Sequence, residues 1–511
     1  MSRLVTDHLP LLAGAPNGVK KLRELILELA VRGKLVQQDP QDKQAQYSTK
    51  TEKHPHAETA LDEKRFEIPV GWVWAKFSDV AETRLGKMLD KAKNTGELKP
   101  YLRNTNVQWY GFDLTDIKEI RLESHELSEF SVLPGDLLIC EGGDPGRCSI
   151  WQDDSQEIYF QKALHRARVR QEISPEYLRL CIRADCNSGH IATLCTGATI
   201  KHLTGERLAK YVLPIPPFPE QQRIVAKVDE LMALCDRLET RQSDAQAAHT
   251  RLVDELLGSL LQARDAEDFA ECWGRVKESF DVLFTTEQSV DDLKRIFLSL
   301  AVTGKLSSSK ELGNIGWHTG PFNDLIDPLF PIAYGVLVPG PESAGGIPFV
   351  RIADLSISNA SAQPEKTISP DVDAKFSRTR LRGGEILMGV VGSIGKLGVA
   401  PDSWAGANIA RAICRIVPNA KVCKAYMLWL LQSDVMQKQF IGDARTLAQP
   451  TLNVGMIRSA VASIPPLAEQ YRIVEKIDEF MVLCDQIKAK MARAQALNER
   501  LAGTLVERSA S

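Results

Sequence analysis

Two stretches of the chain carry a long helical seam. Ile224, Val228, Leu231, Cys235 and Leu238 recur at alternating spacings of 4 and 3, and Leu252 and Leu256 rejoin the register after a weaker stretch. Ile473, Ile477, Phe480, Cys484 and Ile487 repeat the pattern, continued by Met491, Ala494, Leu501 and Leu505. Apolar a and d positions with Lys, Glu and Asp on the other faces predict coiled-coil helices. Pro216-Pro217 and Pro465-Pro466 stand just before them, where a missing N–H does no harm. Glu220 and Glu469 fall in the first turn, where the helix dipole favours negative charge. Helices running from about 220 to 261 and from about 469 to 506 would be rods of roughly 55–65 Å. That is too long for core helices of a small domain. Two such seams predict an antiparallel coiled coil. The alternative is that each seam packs on its own domain or on a partner subunit.

The seams belong to a tandem repeat. Residues 215–238 and 464–487 match at 15 of 24 positions without gaps, at an offset of 249. Upstream, 19–35 (VKKLRELILELAVRGKL) and 290–306 (VDDLKRIFLSLAVTGKL) match at 9 of 17, at an offset of 271. Gly71-Trp72 with Phe77 and Asp79 parallels Gly316-Trp317 with Phe322 and Asp324. Residues 134–138 likewise parallel 383–387. The stretches between, 65–214 and 315–465, differ strongly. They combine Gly, Pro and Thr with short apolar runs such as Leu137-Leu138-Ile139-Cys140, which predicts short strands and turns. Each has one helical run near its end, at 175–183 and 423–432. The polar stretch 37–64 reads as a flexible linker, with His54 and His56 as solvated loop residues. The predicted order is an N-terminal helical segment and linker (1–65), a variable domain (66–213), a central helical spacer region (214–309), a second variable domain (310–462) and a C-terminal coiled-coil helix (463–511). The class is α+β: two α/β domains separated by long antiparallel coiled-coil helices in a pseudo-twofold tandem repeat.

Composition narrows the field. Of 511 residues 44% are hydrophobic and 25% charged, with a net charge of −3, so disordered, collagen-like and disulfide-scaffold classes are excluded. A uniformly basic nucleic-acid binder is disfavoured too, so any DNA-binding charge must be local. The first ten residues lack an apolar core of signal-peptide type, and no window of 18 apolar residues suggests a membrane span. The ten cysteines form no Cys-x-x-Cys pair and mostly sit beside apolar residues, which reads as buried thiols in a reducing cytoplasm.

Tests for catalytic motifs fail. The run 389–397 lacks the Gly five positions before Gly395-Lys396 and the hydroxyl after it that a phosphate loop needs; Val390 and Leu397 stand there. Its counterpart, 141–147, shares the pattern of Gly followed by a basic residue. The pair reads either as a tight structural turn or as a loop presenting a cation to DNA phosphate. Ile215-Pro216-Pro217-Phe218 lacks the amide or carboxylate of an amino-methyltransferase motif. Asp373-Ala374-Lys375 matches half of a nuclease metal site, but acid-x-Lys triplets are common and no convincing partner carboxylate stands on a neighbouring strand pattern. No metal-ligand spacing is present. The reading is a non-catalytic protein.

Ile-Pro-Pro-x-x-Glu-Gln-x-x-Ile-Val before a coiled-coil helix, occurring twice, resembles the specificity subunit of type I restriction–modification systems. Residues 22–35 and the stretch 268–286 (DFAECWGRVKESFDVLFTT) are similar to one branch of that family. The resemblance runs from Leu9 to about Val506 and weakens inside the two variable domains. It implies a DNA-binding chain that reads a bipartite, asymmetric site and holds no catalytic centre. It implies double-stranded DNA, two methylation subunits and further restriction subunits as partners. S-adenosylmethionine, ATP and Mg2+ would be used by those partners, with no cofactor or metal in this chain. The rival is a coiled-coil protein-interaction scaffold without DNA binding.

Under this reading the loops of the first domain should meet DNA with Lys87, Lys91, Lys93, Arg103, Asn104, Asn106, Arg147, Gln161, Lys162, Arg166, Thr199, Lys201 and His202. Those of the second should use Tyr334, Arg351, Asp354, Ser393, Lys396, Asn408, Arg411, Arg445, Gln449 and Asn453. Residues 70–213 hold 19 basic and 20 acidic side chains, so no general basicity marks that domain; 317–463 hold 14 and 11, a mild excess. The bland alternative is that many of these residues are ordinary solvated surface.

Overall fold

The sequence Leu-Ala-Val-x-Gly-Lys-Leu, present twice, is a helix stop. In the computed structural model, which describes residues 17–45, 65–90, 94–197, 199–264, 266–306, 316–444 and 451–510, it ends the helices Gly18–Val31 and Glu287–Val302 in the same way. Gly33 and Gly304 take φ of 68° and 78°, which side chains resist and glycine does not. The N–H of Lys34 then reaches the Leu29 carbonyl at 2.9 Å, and that of Lys305 reaches Leu300 at 3.0 Å. These bonds satisfy carbonyls that a helix end leaves open.

The chain divides into two compact units, 1–244 with 494–511, and 245–493. In the first, a four-stranded antiparallel sheet has the order Ala81–Leu85, Leu164–Val169, Leu137–Cys140, Cys148–Ile150. All four residues of Leu137–Cys140 are buried, as a continuous apolar run requires of a central strand. A three-stranded sheet, Lys118–Leu122, Glu97–Leu102, Tyr159–Phe160, packs beside it, its last pair parallel. Val73–Lys76 pairs with Val212–Ile215, closing the domain at the base of the long helix.

The second unit repeats these three sheets in the same order, while the first carries in addition the hairpin Val107–Gln108 with Gly111–Phe112. Its four-stranded sheet has the order Ala333–Tyr334, Ile413–Ile416, Ile386–Gly389, Leu397–Val399. Its three-stranded sheet is Lys366–Ile368, Ile347–Val350, Asn408–Ile409, again ending in a parallel pair. His318–Pro321 and Val461–Ile464 close the base. So the middles that differ in sequence share one topology. Side-chain identity has drifted while the continuous burial of the central strands, Leu137–Cys140 and Ile386–Gly389, has not. The expected helices near the domain ends are present as Pro175–Asn187 and Lys424–Gln432.

The two seams lie on single helices, Phe218–Gln262 and Leu467–Ala510. In the first unit Ala502, near the end of one, joins the core that holds Leu231 and Cys235, near the start of the other. In the second unit Val253 and Leu257 share a core with Cys484. Start therefore meets end in each unit, which is antiparallel pairing. Pairing does not use the whole seam. Ile224, Val228, Leu231 and Cys235 are buried, and Leu238 is half-buried, against the helix Gly18–Val31 and the first domain. Arg23 of that helix binds Asp236 at 2.6 Å and Glu239 at 2.9 Å. In the second unit Ile473 and Ile477 pack against Leu298, Ala301 and Val302, and Phe480 stacks on Phe297 with centroids 3.7 Å apart. Ile487 and Met491 pack at the Cys484 core. The first half of each seam is thus covered by the repeated short helix of its own unit, as its own-domain alternative foresaw.

The expected linker 37–64 lies outside the described residues from 46 onward. Its described start is anchored: Asp42 pairs with Arg223 at 2.5 Å, Gln38 donates to the Val70 carbonyl, and Ala45 is buried in the core. Among the described residues no helix is long and apolar enough to cross a membrane. The cysteines are unpaired, and burial pushes the Cys140 thiol up to about 11 and Cys414 to about 12, so both stay protonated packing residues.

Candidate nucleic-acid interface

The loops named in the first domain come together on one rim. Strand ends fix them there: Lys87 bridges Gln161, and Gly142 and Thr196 both bridge His202. Asn104 donates to the Gly142 carbonyl at 3.1 Å, tying the 103–106 loop to the 141–147 loop. His202 Nδ1 lies 2.9 Å from Glu141 Oε2 across the same rim. Lys162, Thr199 and Lys201 are exposed, and among the described residues no side-chain hydrogen bond or ion pair engages either lysine. Lys91 and Lys93 lie outside the described residues.

The second domain builds the equivalent rim. Val336 bridges Ala410, and Val391 bridges Thr451. Leu452 N–H reaches the Val390 carbonyl at 2.9 Å, bringing the segment before Asn453 against the Gly392–Gly395 turn. Ser393, Lys396 and Arg411 are exposed here. Arg445 and Gln449 lie outside the described residues.

Several named residues turn out to hold the rim rather than present it. Asn106 is buried; it accepts from Arg103 N–H at 2.8 Å and donates to the carbonyls of Asp113 and Asp116. Arg166 is buried on a central strand, donating to the carbonyls of Glu129 and Ser131, and burial lowers its pKa. Asn408 is wholly buried between Thr379, Asp373 and the Phe376 carbonyl. The buried Asp373 of the acid-x-Lys triplet is engaged by Arg380, which is itself about half exposed, and by Asn408. Tyr334 accepts from Val454 N–H at 2.7 Å and donates to the Leu452 carbonyl. Asn453 caps the helix Val454–Ser459. Residue type cannot distinguish these buried polar groups from exposed readers, since both are hydrogen-bonding side chains.

Others are partly committed. Lys87 pairs with Glu126; burial alone would raise that carboxyl, but the ammonium holds it below its ordinary range. Arg103 binds Asp116 at 2.7 Å, and Arg351 binds Asp354 at 3.1 Å and Glu365 at 3.0 Å. Asp354 Oδ2 also accepts from Arg351 N–H at 2.7 Å, matching the turn that Asn106 closes. The basic residue after the glycine turn has the same task in both domains. Arg147 donates to the Asn104 carbonyl at 3.0 Å and Lys396 to the Ile352 carbonyl at 2.9 Å. Each staples the turn to the neighbouring loop, and only what remains of its donor capacity faces outward.

Two groups escaped sequence reasoning. Gln221 and Gln470, the Gln of the repeated Glu-Gln, are wholly buried. Gln221 accepts from Ser174 N–H at 2.8 Å and donates to the carbonyls of Pro216 and Glu172. Gln470 accepts from Cys423 N–H at 2.8 Å and donates to the carbonyls of Pro465 and Lys421. Each clamps a long helix to the start of a helix of its domain, Pro175–Asn187 or Lys424–Gln432. The 15-of-24 match was the signal, since a clamp used twice keeps its residue. Trp109 and Tyr110, at a hairpin tip, lie under Arg183 and Arg179 at 4.2 and 4.4 Å and dock the 103–112 loop.

Comparison with known proteins agrees with this architecture. The sequence profile described as "Type I restriction modification DNA specificity domain" matches residues 69–247 and 341–495. The chain is 27% identical to the type I restriction enzyme EcoEI specificity subunit of Escherichia coli, over 99% of both chains. It is 33% identical to the EcoAI specificity subunit of Escherichia coli over 57% of this chain and 52% of that one. A solved chain from work on complex assembly and conformational transition of the type I R-M system aligns over 87% of this chain and 99% of its own, with a TM-score of 0.50 at 18% identity, a likeness of fold. With the matched segments covering more than half of the chain and a relative aligned end to end, the chain belongs to the type I restriction–modification DNA specificity family and is the DNA specificity subunit of such a system.

Proposed function

We propose that each domain reads one half of a bipartite, asymmetric double-stranded DNA site through its loop rim, with the paired long helices spanning an unread spacer. The observation that carries this reading is the convergence of the same loop set in both domains, held by equivalent bridges, with Lys162, Lys201 and Arg411 exposed on the rims. Cations and amides on loops fixed by a rigid sheet are what phosphate positioning and base-edge contact require. Different side chains on one scaffold give different half-sites. Of the residues named from sequence, Lys162, Thr199, Lys201, Ser393 and Arg411 are the readers or phosphate contacts. Lys87, Arg103, Asn104, Arg147, Gln161, His202, Arg351, Asp354 and Lys396 shape the loops while offering their outward edges.

The domain limits proposed are 66–213 and 310–462 for the two reading domains, with 1–65, 214–309 and 463–511 forming the helical frame. In the cytoplasm, two methylation subunits would dock on that frame and restriction subunits would join them. S-adenosylmethionine, ATP and Mg2+ would serve those subunits. The test is binding of the assembled complex to a duplex carrying the site mapped from the methylome of cells that express it. Specific binding that weakens steeply with salt supports the reading. Salt-independent binding, or no preference for the mapped site, refutes it.

A further inference from the structure

One feature recurs in both domains although their sequences diverge. Met88 and Leu89 are 61% and 48% exposed, and Leu337 and Val338 are 56% and 69% exposed. Single exposed apolar side chains are ordinary on a protein surface. Two adjacent ones at the same place in two diverged domains are not, because such residues forgo the burial that core positions gain.

The place is set by one backbone lock, used twice. Lys87 N–H reaches the Phe160 carbonyl at 3.1 Å, and Lys162 N–H returns to the Lys87 carbonyl at 2.9 Å. Val336 N–H reaches the Ile409 carbonyl at 2.8 Å, and Arg411 N–H returns to the Val336 carbonyl at 2.9 Å. Lys162 and Arg411, like Met88-Leu89 and Leu337-Val338, are separated by the repeat's offset of 249. The residue before each lock is glycine of necessity. A Cβ on Gly86 would enter the backbone of Gln161, and one on Gly335 would enter the backbone of Ile409. Each domain therefore holds, directly after a pinned bridge on its rim, two apolar side chains beside one exposed cation.

DNA offers a partner of matching chemistry. The apolar group on a base edge in the major groove is the thymine 5-methyl, and it lies within reach of the phosphate backbone. We propose that Met88-Leu89 and Leu337-Val338 are the apolar readers of the two half-sites, each packing on thymine methyl groups while Lys162 or Arg411 takes the neighbouring phosphate. The inference rests on the DNA-reading function proposed above. The change of side-chain shape from one pair to the other suits two different half-sites, and the pinned backbone reduces the ordering cost of contact.

The test uses the assembled complex with wild-type, M88S/L89S and L337S/V338S chains, and duplexes carrying the mapped site with each thymine replaced in turn by uracil. Wild type binds about fourfold weaker at one or two uracil positions in each half-site, the worth of about one buried methyl group. Each serine pair abolishes that discrimination in one half-site only, without changing the salt slope. Lys162→Gln or Arg411→Gln instead weakens binding on all duplexes alike and lowers the salt slope by about one. Milder M88A/L89A and L337A/V338A chains give the same pattern in weaker form. Uracil scanning without effect on wild type, or serine pairs that keep full discrimination, overturns the proposal. So does failure of only the serine chains to assemble, which would mark a protein-docking surface. If wild type itself shows no salt-sensitive preference for the site, it is the DNA-reading function that fails.

Discussion

Removing the buried amide of Gln221 or Gln470 should loosen a domain from its helix. In Gln221→Ala the Ser174 N–H loses its acceptor inside a site where Ser174 is itself buried, and two carbonyls lose a donor. An orphaned buried group costs about 1–3 kcal/mol. The carbonyls cost less than the N–H, because an acceptor has a second lone pair. A loss of about 2–4 kcal/mol follows, a large share of the roughly 5–15 kcal/mol that holds a domain folded. Gln470→Ala should lose a similar amount, since its three partners correspond one for one. Gln221→Glu is more informative. The carboxylate still accepts from Ser174 but turns an oxygen, not an amide, toward the carbonyls of Glu172 and Pro216. Its folded pKa should rise above the ordinary value of about 4.3, so the variant is least impaired below that pH and loses stability as pH rises through the folded value. The assay is urea unfolding followed by tryptophan fluorescence, at pH 5 and pH 8. If both alanine variants stay within about 0.5 kcal/mol of wild type, the scale of a bland surface change, the amide does not hold the domain to its helix.

Other expectations follow from the same geometry. Gly335→Ala should destabilise the second domain by about 1–3 kcal/mol through overpacking against Ile409, read as a lower urea midpoint. Arg411→Ala, as loss of a phosphate contact, should weaken DNA binding about equally on all sequences and lower the salt slope by about one, measured by duplex titration at several salt concentrations. Arg351→Ala, because it also breaks pairs to Asp354 and Glu365, should lower thermal stability besides. Burial lowers the His165 pKa, although its Leu203 contact opposes this, so the folded chain resists protonating it. Stability should therefore decline as pH falls below the unfolded value of about 6.5, and His165→Gln should flatten that decline in pH-dependent melting. Inserting seven residues in each long helix at facing positions should lengthen the unread spacer by about three base pairs. A methylome showing an unchanged spacer in an active variant would refute the ruler role of the helices.

Periodicity and repetition made the frame legible. A seam such as Ile473, Ile477, Phe480 and Cys484 declares a helix and its buried face without naming what covers it. The cover came partly from helices 170–200 residues away in sequence, such as Leu298 to Val302 against Ile473 and Ile477, which no local pattern reveals. The shared topology of the two domains was hidden because strands of 2 to 6 residues keep only a pattern of burial, not identity. At the rims, loop composition pointed to segments that the fold brings together, yet Asn106, Arg166 and Asn408 look like base readers in sequence and are internal struts in space. Burial is a tertiary property, and the same amide or guanidinium serves either role. Met88-Leu89 and Leu337-Val338 went unread for the opposite reason: apolar residues in a strand-rich domain are expected inside.

The most direct measurement of the central claim is a domain exchange. Residues 70–213 are replaced by the corresponding domain of another family member, and the methylome of cells carrying the chimera with its methylation partner is sequenced. Modular reading predicts that one half-site changes while the other half-site and the spacer stay as they were. A chimera that alters both half-sites, or neither, contradicts it.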